Sequence, residues 1–369
     1  MTFKKINAWI HLWFGIASGI VVVILGITGC ILVFEQEIRS ISSPWLHAAS
    51  EGRPLLPPSK LYEAVSTALP DKKVASVWYH GEAHTAHVTV NSDSTIFVDP
   101  YTAKIVAMVD HEDFFHIVEE GHFYLWLPKS IGEQIVGWGT FIFFFLLISG
   151  LILWWPKRWN KRSRDQSFKI KWKAKFKRLN YDLHNVLGFY SMIIAMLLAF
   201  TGLMMSFQWF NKGVFWVTGG TDKPRVEALS DTLQNPQTKM LVQVDKAWSK
   251  GIHELAEHNP KDIIVSFPEK ASEAIYVCTD MFSGTWRDLY LDQHTLKVLP
   301  ASNKKLLDEN VADLIRRVNY GIHVGTIGEL PTKILFFIVS LICASLPITG
   351  FIIWWGKKSK SRKKATRLI

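Results

Sequence analysis

Cysteine is nearly missing from this chain of 369 residues: only Cys30, Cys278 and Cys343 occur. They form no Cys-x-x-Cys and no Cys-x-x-Cys-His, which excludes a disulfide framework and a thioether-attached haem. All three read as structural. No Gly-x-Gly-x-x-Gly follows a strand-like run and no Gly-x-x-x-x-Gly-Lys-Ser/Thr is present, so neither a Rossmann nucleotide domain nor ATP-driven transport is indicated. His-Glu-x-x-His and the Gly-x-Ser-x-Gly elbow are also lacking, which removes the familiar zinc and serine hydrolase patterns.

Charge is the second scarcity, and it is local. Lys, Arg, Asp and Glu are absent from Trp9–Phe34, Ile135–Trp155, Leu183–Phe210 and Ile334–Trp355. Each run is long enough to cross a hydrocarbon core of about 30 Å at about 1.5 Å per helical residue. The first is too long for a signal-peptide core, and no small-x-small cleavage site follows it, so it reads as an uncleaved anchor. What the chain does have fits this: 49% hydrophobic residues, 16 Trp and a formal charge of +10.

The positive charge is concentrated at the ends of those runs. Lys4 and Lys5 precede the first, Lys157–Arg178 holds eleven basic residues against Asp165 alone, and seven basic residues follow Gly356. Every second connection is therefore basic, which places both termini in the cytoplasm by the positive-inside rule. Base confined to membrane flanks points to a lipid bilayer as partner and not to nucleic acid.

The chain reads as one unit written twice. His11-x-x-x-Gly15, Thr28-Gly29 and Phe34 recur as His184-x-x-x-Gly188, Thr201-Gly202 and Phe207, all at a constant offset of 173. Ser149-Gly150 ahead of Trp154-Trp155 recurs as Thr349-Gly350 ahead of Trp354-Trp355. Between the spans, Phe97-Val98-Asp99 with Thr102 parallels Tyr290-Leu291-Asp292 with Thr295. A helix-like segment (Ser59–Leu69, Leu241–Glu257) precedes period-two runs in each half: Val74–Tyr79, Ala86–Val90 and Thr95–Val98, then Ile263–Phe267, Ala274–Thr279 and Arg287–Leu291.

The expected fold is an α-helical integral membrane protein. Four transmembrane helices form two parallel repeats, each carrying a small periplasmic α+β domain with one helix on an antiparallel sheet. The expected boundaries are a first span at 1–35, an α+β insert at 36–112, a membrane-proximal segment with the second span at 113–156 and a basic loop at 157–180. The third span follows at 181–211, the second insert at 212–308, the fourth span with its approach at 309–356 and the basic tail at 357–369.

On these residues the chain resembles the PepSY-associated transmembrane family of the bacterial inner membrane, over nearly its whole length. The resemblance implies PepSY-like periplasmic domains and a tie to iron regulation. Some family members are similar to haem-containing reductases that release iron from ferric siderophores.

Position sorts the thirteen histidines. His11 and His184 stand near the cytoplasmic ends of the first and third spans, and His122 and His323 precede the second and fourth on the outer side. His116 and His111 are near enough to stand in for His122. Haem iron in b-type carriers takes two imidazoles from different helices, one on each face. Pairing His11 with His184 and His122 with His323 would then hold two haems b, one near each membrane face. Lys4, Lys5, Lys177 and Arg178 inside, and Arg316 and Arg317 outside, are candidate partners for the propionates.

Other clusters weigh less. His80, His84 and His87 lie beside a predicted hairpin, where His87 is expected to point away from the other two. His253 and His258 read as surface, and Trp78, Trp126 and Trp286 as packing residues. The expected function is an inner-membrane haem-b oxidoreductase, fed by quinol or a cytoplasmic flavoprotein, that reduces a periplasmic ferric siderophore. The alternative is a non-enzymatic, membrane-anchored PepSY regulator that binds a peptidase; an iron or siderophore permease is poorly served by only four helices.

Overall fold

The computed structural model describes residues 2–91, 94–110, 113–221, 227–232, 239–255, 262–281 and 284–365. The helices of the first half are α1 (Phe3–Leu32), α2 (Glu35–Ser42), α3 (Pro58–Ala68), α4 (Phe114–Tyr124), α5 (Lys129–Trp154) and α6 (Lys161–Phe168). Those of the second half are α7 (Phe176–Asp182), α8 (Gly188–Ser206), α9 (Gln208–Val217), α10 (Met240–Lys250), α11 (Val311–Val324) and α12 (Glu329–Ala365). The strands are β1 (Val74–His80), β2 (Ala86–Val90), β3 (Ser94–Val98), β4 (Ile105–Asp110), β5 (Asp262–Ser266), β6 (Ile275–Thr279) and β7 (Arg287–Leu291). They fall into two compact units: Met1–Phe34, Phe114–Val214 and Ile322–Ile369 form one, Glu35–Asp113 and Phe215–Gly321 the other.

The first unit is the membrane body. Four of its helical stretches are long and apolar enough to cross a bilayer: Phe3–Leu32, Lys129–Trp154, Phe176–Ser206 and Glu329–Gly356. The chain is thus a multi-pass membrane protein with an α+β insert. The helices begin several residues before the uncharged runs, at Phe3 instead of Trp9 and at Lys129 instead of Ile135. A helix carries its backbone hydrogen bonds on through the polar interface, so composition marks the apolar core and not the helix end. The third stretch is interrupted by a π-helical turn, Leu183–Leu187, which carries His184. Such turns displace one residue from the regular helical ladder and re-aim its side chain.

Small residues bring the spans together. A Cβ on Gly26 of α1 would lie 2.8 Å from the Ser340 carbonyl oxygen of α12, and one on Gly139 of α5 would meet Val21 Cγ1 at 2.7 Å. Only glycine permits backbones this close. In lipid, where no hydrophobic force separates helix from solvent, such packing is what holds spans to one another.

The second unit is built on a single seven-stranded antiparallel sheet ordered β4-β3-β2-β1-β5-β6-β7. Strands β1 and β5 join the two halves, with Val77 opposite Val265 and Tyr79 opposite Ile263. The two inserts, expected as separate domains, therefore share one sheet and one core. Their lone edges would each expose unpaired N–H and C=O groups, and pairing β1 with β5 satisfies both. Strand β4 was also not foreseen; Ile105–Asp110 follows a tight turn and pairs with β3.

One face of the sheet is apolar, as the period-two runs require. Val77, Tyr79, Val88 and Ile96 from the first half and Ile263, Val265, Ile275, Val277, Leu289 and Leu291 from the second pack on Leu61 and Val65 of α3 and on Val244 and Ala247 of α10. The two halves turn alike after their matching strands. Asp99 N donates to Lys104 O at 2.9 Å and Asp292 N to Lys297 O at 3.0 Å. Ala103 (φ 60°) and Leu296 (φ 57°) close these turns in the left-handed region. The strain is held by the aspartates: Asp99 accepts from Tyr101 N at 2.8 Å, and Asp292 from His294 N at 3.0 Å and Thr295 N at 2.8 Å.

Candidate functional site

Two histidine pairs lie in the membrane unit. His11 of α1 and His184 of the π-helical turn face each other with ring centres 6.5 Å apart and planes at 89°. His11 Nδ1 lies 2.7 Å from Ser149 Oγ on α5. His184 Nδ1 lies 2.9 Å from Thr349 Oγ1 and 3.1 Å from Leu346 O, both on α12. Glycine stands behind each ring: a Cβ on Gly150 would come within 3.4 Å of His11 Cε1, and one on Gly350 within 3.2 Å of His184 Cε1.

The second pair is built the same way. His122 near the end of α4 and His323 near the end of α11 have ring centres 6.4 Å apart and planes at 61°. His122 Nδ1 is 2.9 Å from Thr28 Oγ1 of α1, and His323 Nδ1 is 2.8 Å from Thr201 Oγ1 of α8. Cβ atoms on Gly29 and Gly202 would lie 3.5 and 3.4 Å from the two Cε1 atoms. Thr28 is seventeen residues beyond His11, and Thr201 as many beyond His184. At about 1.5 Å per residue the pairs sit near opposite ends of the spans, about 25 Å apart along them.

The hydroxyls decide the tautomer of every ring. A hydroxyl has one hydrogen to donate. Ser149 donates it to Leu146 O at 3.0 Å, and Thr349 shares its one hydrogen between Ser345 O and Leu346 O, each at 3.0 Å. Thr28 donates to Ile24 O at 2.7 Å and Thr201 to Leu197 O at 2.8 Å. Only lone pairs remain for the imidazoles, so each Nδ1 carries its proton and donates. Leu346 O, which can only accept, requires the same of His184. Nε2 is then the lone-pair nitrogen of each ring, the form in which histidine binds a metal. Two imidazoles that share one metal through bonds of about 2.0–2.1 Å have ring centres about 6.3 Å apart, close to both observed separations.

Among the described residues no group of three or more His, Cys, Asp or Glu is placed to hold a metal ion. Two imidazoles alone suit a metal whose other positions are filled by its own ligand. They do not make the three- or four-ligand site that zinc takes.

The remaining sequence candidates are placed otherwise. His116 Nε2 stands 3.9 Å from Glu120 and its side chain is 43% exposed. Six residues from His122 along the same helix, it points about 120° away from it. His111 and His258 lie outside the described residues, and His253 is exposed. Lys5 is exposed, while Lys4 Nζ donates to Trp155 O at 2.8 Å and Lys177 Nζ to Gly356 O at 3.4 Å.

Three arginines are engaged in packing. Arg178 is bound to the fully buried Asp182, with Nη2 2.8 Å from Oδ1. Arg316 stacks over Phe215 at 3.6 Å. Arg317 is buried and donates to Thr285 O, Trp286 O and Lys304 O at 3.0, 2.7 and 2.8 Å. It ties a loop to α11 and does not wait for an external carboxylate.

The hairpin histidines also differ from expectation. His80 ends β1 and His87 lies on β2, so strand pairing puts them on one face with ring centres 3.9 Å apart. His84, in the turn, instead meets His47 at 5.9 Å. The expectation treated the stretch as one strand, whereas the turn between β1 and β2 reverses it. Trp78 Nε1 donates to Asp262 at 2.9 Å and Trp126 Nε1 to Ile117 O at 2.7 Å, while Trp286 packs on Tyr320 with ring centres 5.4 Å apart.

Sequence reasoning missed the residues around the histidines. Asn7, Asn180 and the four hydroxyl side chains were unassigned, although Asn7 and Asn180 share the offset of 173 that relates His11 to His184. That offset is the signal that could have found them. A family model described as the PepSY-associated TM region matches residues 8–357. No curated protein matches the chain.

Proposed function

The chain belongs to the PepSY-associated transmembrane family, and we propose that it is a haem-b oxidoreductase of the bacterial inner membrane that delivers electrons to a periplasmic ferric siderophore. The observation that carries this reading is the pair of two-imidazole sites, with ring centres 6.5 and 6.4 Å apart, at opposite ends of the same spans. One haem b would be held by His11 with His184 and another by His122 with His323. When bound, haem b supplies a reversible one-electron carrier.

The chain's own residues set the conditions. Ser149, Thr349, Thr28 and Thr201 each accept from an Nδ1–H, which fixes ring orientation and leaves Nε2 as the donor. Gly150, Gly350, Gly29 and Gly202 leave room for the Cε1 edge of each ring against the helix behind it.

Matched geometry in the two halves supports an internal duplication with a symmetry axis along the membrane normal. The basic segments before α1, between α5 and α8, and after the last span support a cytoplasmic location for that end of the spans. The His11/His184 pair is then on the donor side, where quinol or a cytoplasmic flavoprotein gives up its electrons. The sheet unit is periplasmic, on the side where ferric siderophores arrive. Reduction of Fe(III) to Fe(II) consumes one electron per iron and weakens the hold of hard oxygen ligands, because the lower charge attracts them less.

The optical spectrum tests this. Purified protein should show the split, red-shifted bands of low-spin haem b on dithionite reduction. His184→Ala should remove about half of the bound haem. Unchanged haem content in that variant would refute the pairing. A colourless preparation from haem-supplemented cells would end the redox reading and leave the membrane-anchored regulator.

A further inference from the structure

The basic stretch between the second and third spans is folded, and it lines an open cavity. Helix α6 opens with a reciprocal cap in which Asn160 and Ser163 each bind the other's backbone N–H. Its far end is pinned to the membrane body. Trp154 Nε1 donates to Ser167 O at 3.1 Å, and the Phe168 ring packs 5.2 Å from Trp154 and 5.4 Å from Phe189. On the other side Asp182 holds Arg178 and accepts from Lys171 N at 3.2 Å. Both walls are thus fixed before anything binds.

Between them lies an open cavity of about 510 Å³ lined by Lys161, Arg162, Asp165, Gln166, Lys171 and Arg178. Four cations face one carboxylate. That carboxylate, Asp165, is taken up by Lys169 at 3.0 Å. Its pKa is held below the usual carboxylate range by Lys169 first and by the charges of Lys161 and Lys171 as well. Arg178 is paired with Asp182, so the net positive charge of the cavity comes from Lys161, Arg162 and Lys171.

The surroundings point to the source of the anion. Trp155, Trp159, Trp172 and Phe176 are all exposed around these segments. Exposed tryptophan at the end of a span marks the depth of lipid headgroups. A fixed basic cavity at that depth meets phosphodiesters at the high local concentration of a bilayer. We propose that this cavity binds the phosphate of an anionic phospholipid headgroup. The assignment is independent of the redox reading.

Native mass spectrometry of the full-length protein in detergent tests it. Added phosphatidylglycerol or cardiolipin should be retained and phosphatidylcholine should not. The Lys161→Gln/Arg162→Gln/Lys171→Gln variant should retain about ten-fold less anionic lipid or lower still. Arg164→Gln/Lys173→Gln/Lys175→Gln, which removes the same charge outside the cavity lining, should stay within about two-fold of the parent. Equal losses from both variants would overturn the site and leave only diffuse attraction. Equal retention of phosphatidylcholine, or displacement of the lipid by an equal concentration of a soluble phosphate ester such as FMN, would overturn the lipid assignment.

Discussion

Asn7 and Asn180 perform the same task in the two halves of the membrane unit. Asn7 Nδ2 donates to Ser149 O at 3.0 Å, and Asn180 Nδ2 donates to Thr349 O at 3.0 Å. In each case the residue whose carbonyl is bound is also the one whose hydroxyl holds a histidine. The asparagine lies one turn before that histidine on the same helix. Amide, hydroxyl and imidazole thus lock α1 to α5 and α7 to α12 at the level of the first ring pair. Buried polar groups in a membrane body have no water to fall back on, so such a closed set is favoured only when every member is satisfied.

The two hydroxyls at this pair should differ in importance. Ser149 is the single hydrogen-bond acceptor for His11 among the described residues, whereas His184 has both Thr349 and Leu346 O. If the pair holds a haem as proposed, Ser149→Ala should weaken its retention by about ten-fold or more, and Thr349→Val by less. An Nδ1–H without an acceptor makes Nε2 a poorer donor to ferric iron, so the potential of that haem should rise. Redox titration followed optically checks both points. Equal potentials in parent and Ser149→Ala would remove the hydroxyl from this role.

Glycines should separate into two kinds. At Gly29 and Gly202 a methyl group would make ordinary contact with the ring behind, at 3.5 and 3.4 Å. Alanine should be tolerated there, and leucine should displace His122 or His323 and deplete that haem alone. At Gly26 the same methyl would sit 2.8 Å from a backbone oxygen of α12. Gly26→Ala should therefore destabilise the helix pair by about 1–3 kcal/mol. Thermal melts in detergent, paired with haem quantification, distinguish local ring displacement from loosened helices.

The sheet unit should lose stability in mild acid through His80. Burial pushes this imidazole well down from its usual 6.5, and repulsion from His87 and His84 adds to it. Below about pH 6.5 the unfolded chain takes up a proton that the folded chain refuses. The fold is therefore most stable, for this group, above that value, and weakens as pH falls towards the folded pKa. His80→Asn should flatten the decline between about pH 7.5 and about pH 5.5 when melting is followed by tryptophan fluorescence. Identical declines in both proteins would show that His80 is not the sensor.

Much of the architecture was open to reading from the chain alone, and the reason is locality. Four uncharged runs and a period-two rhythm are properties of neighbouring residues, so spans and six of the seven strands could be found within a few positions. The histidines could be grouped because a repeated motif places equivalent residues at one offset. Helix ends were less legible, since Lys4, Lys5 and Asn7 continue α1 beyond its apolar core.

What tertiary structure alone decided is everything that depends on partners distant in the chain. The joining of β1 to β5 brings residues near position 77 against residues near 265, and no local pattern encodes which edge meets which. The contacts of Ser149 with His11 and of Thr201 with His323 span 138 and 122 residues. Arg317 looked available by composition, yet it is consumed by three backbone carbonyls. Composition and periodicity report what a segment must bury. Which atoms meet once it is buried is settled by packing, because a hydrogen-bond partner is chosen by distance and not by sequence.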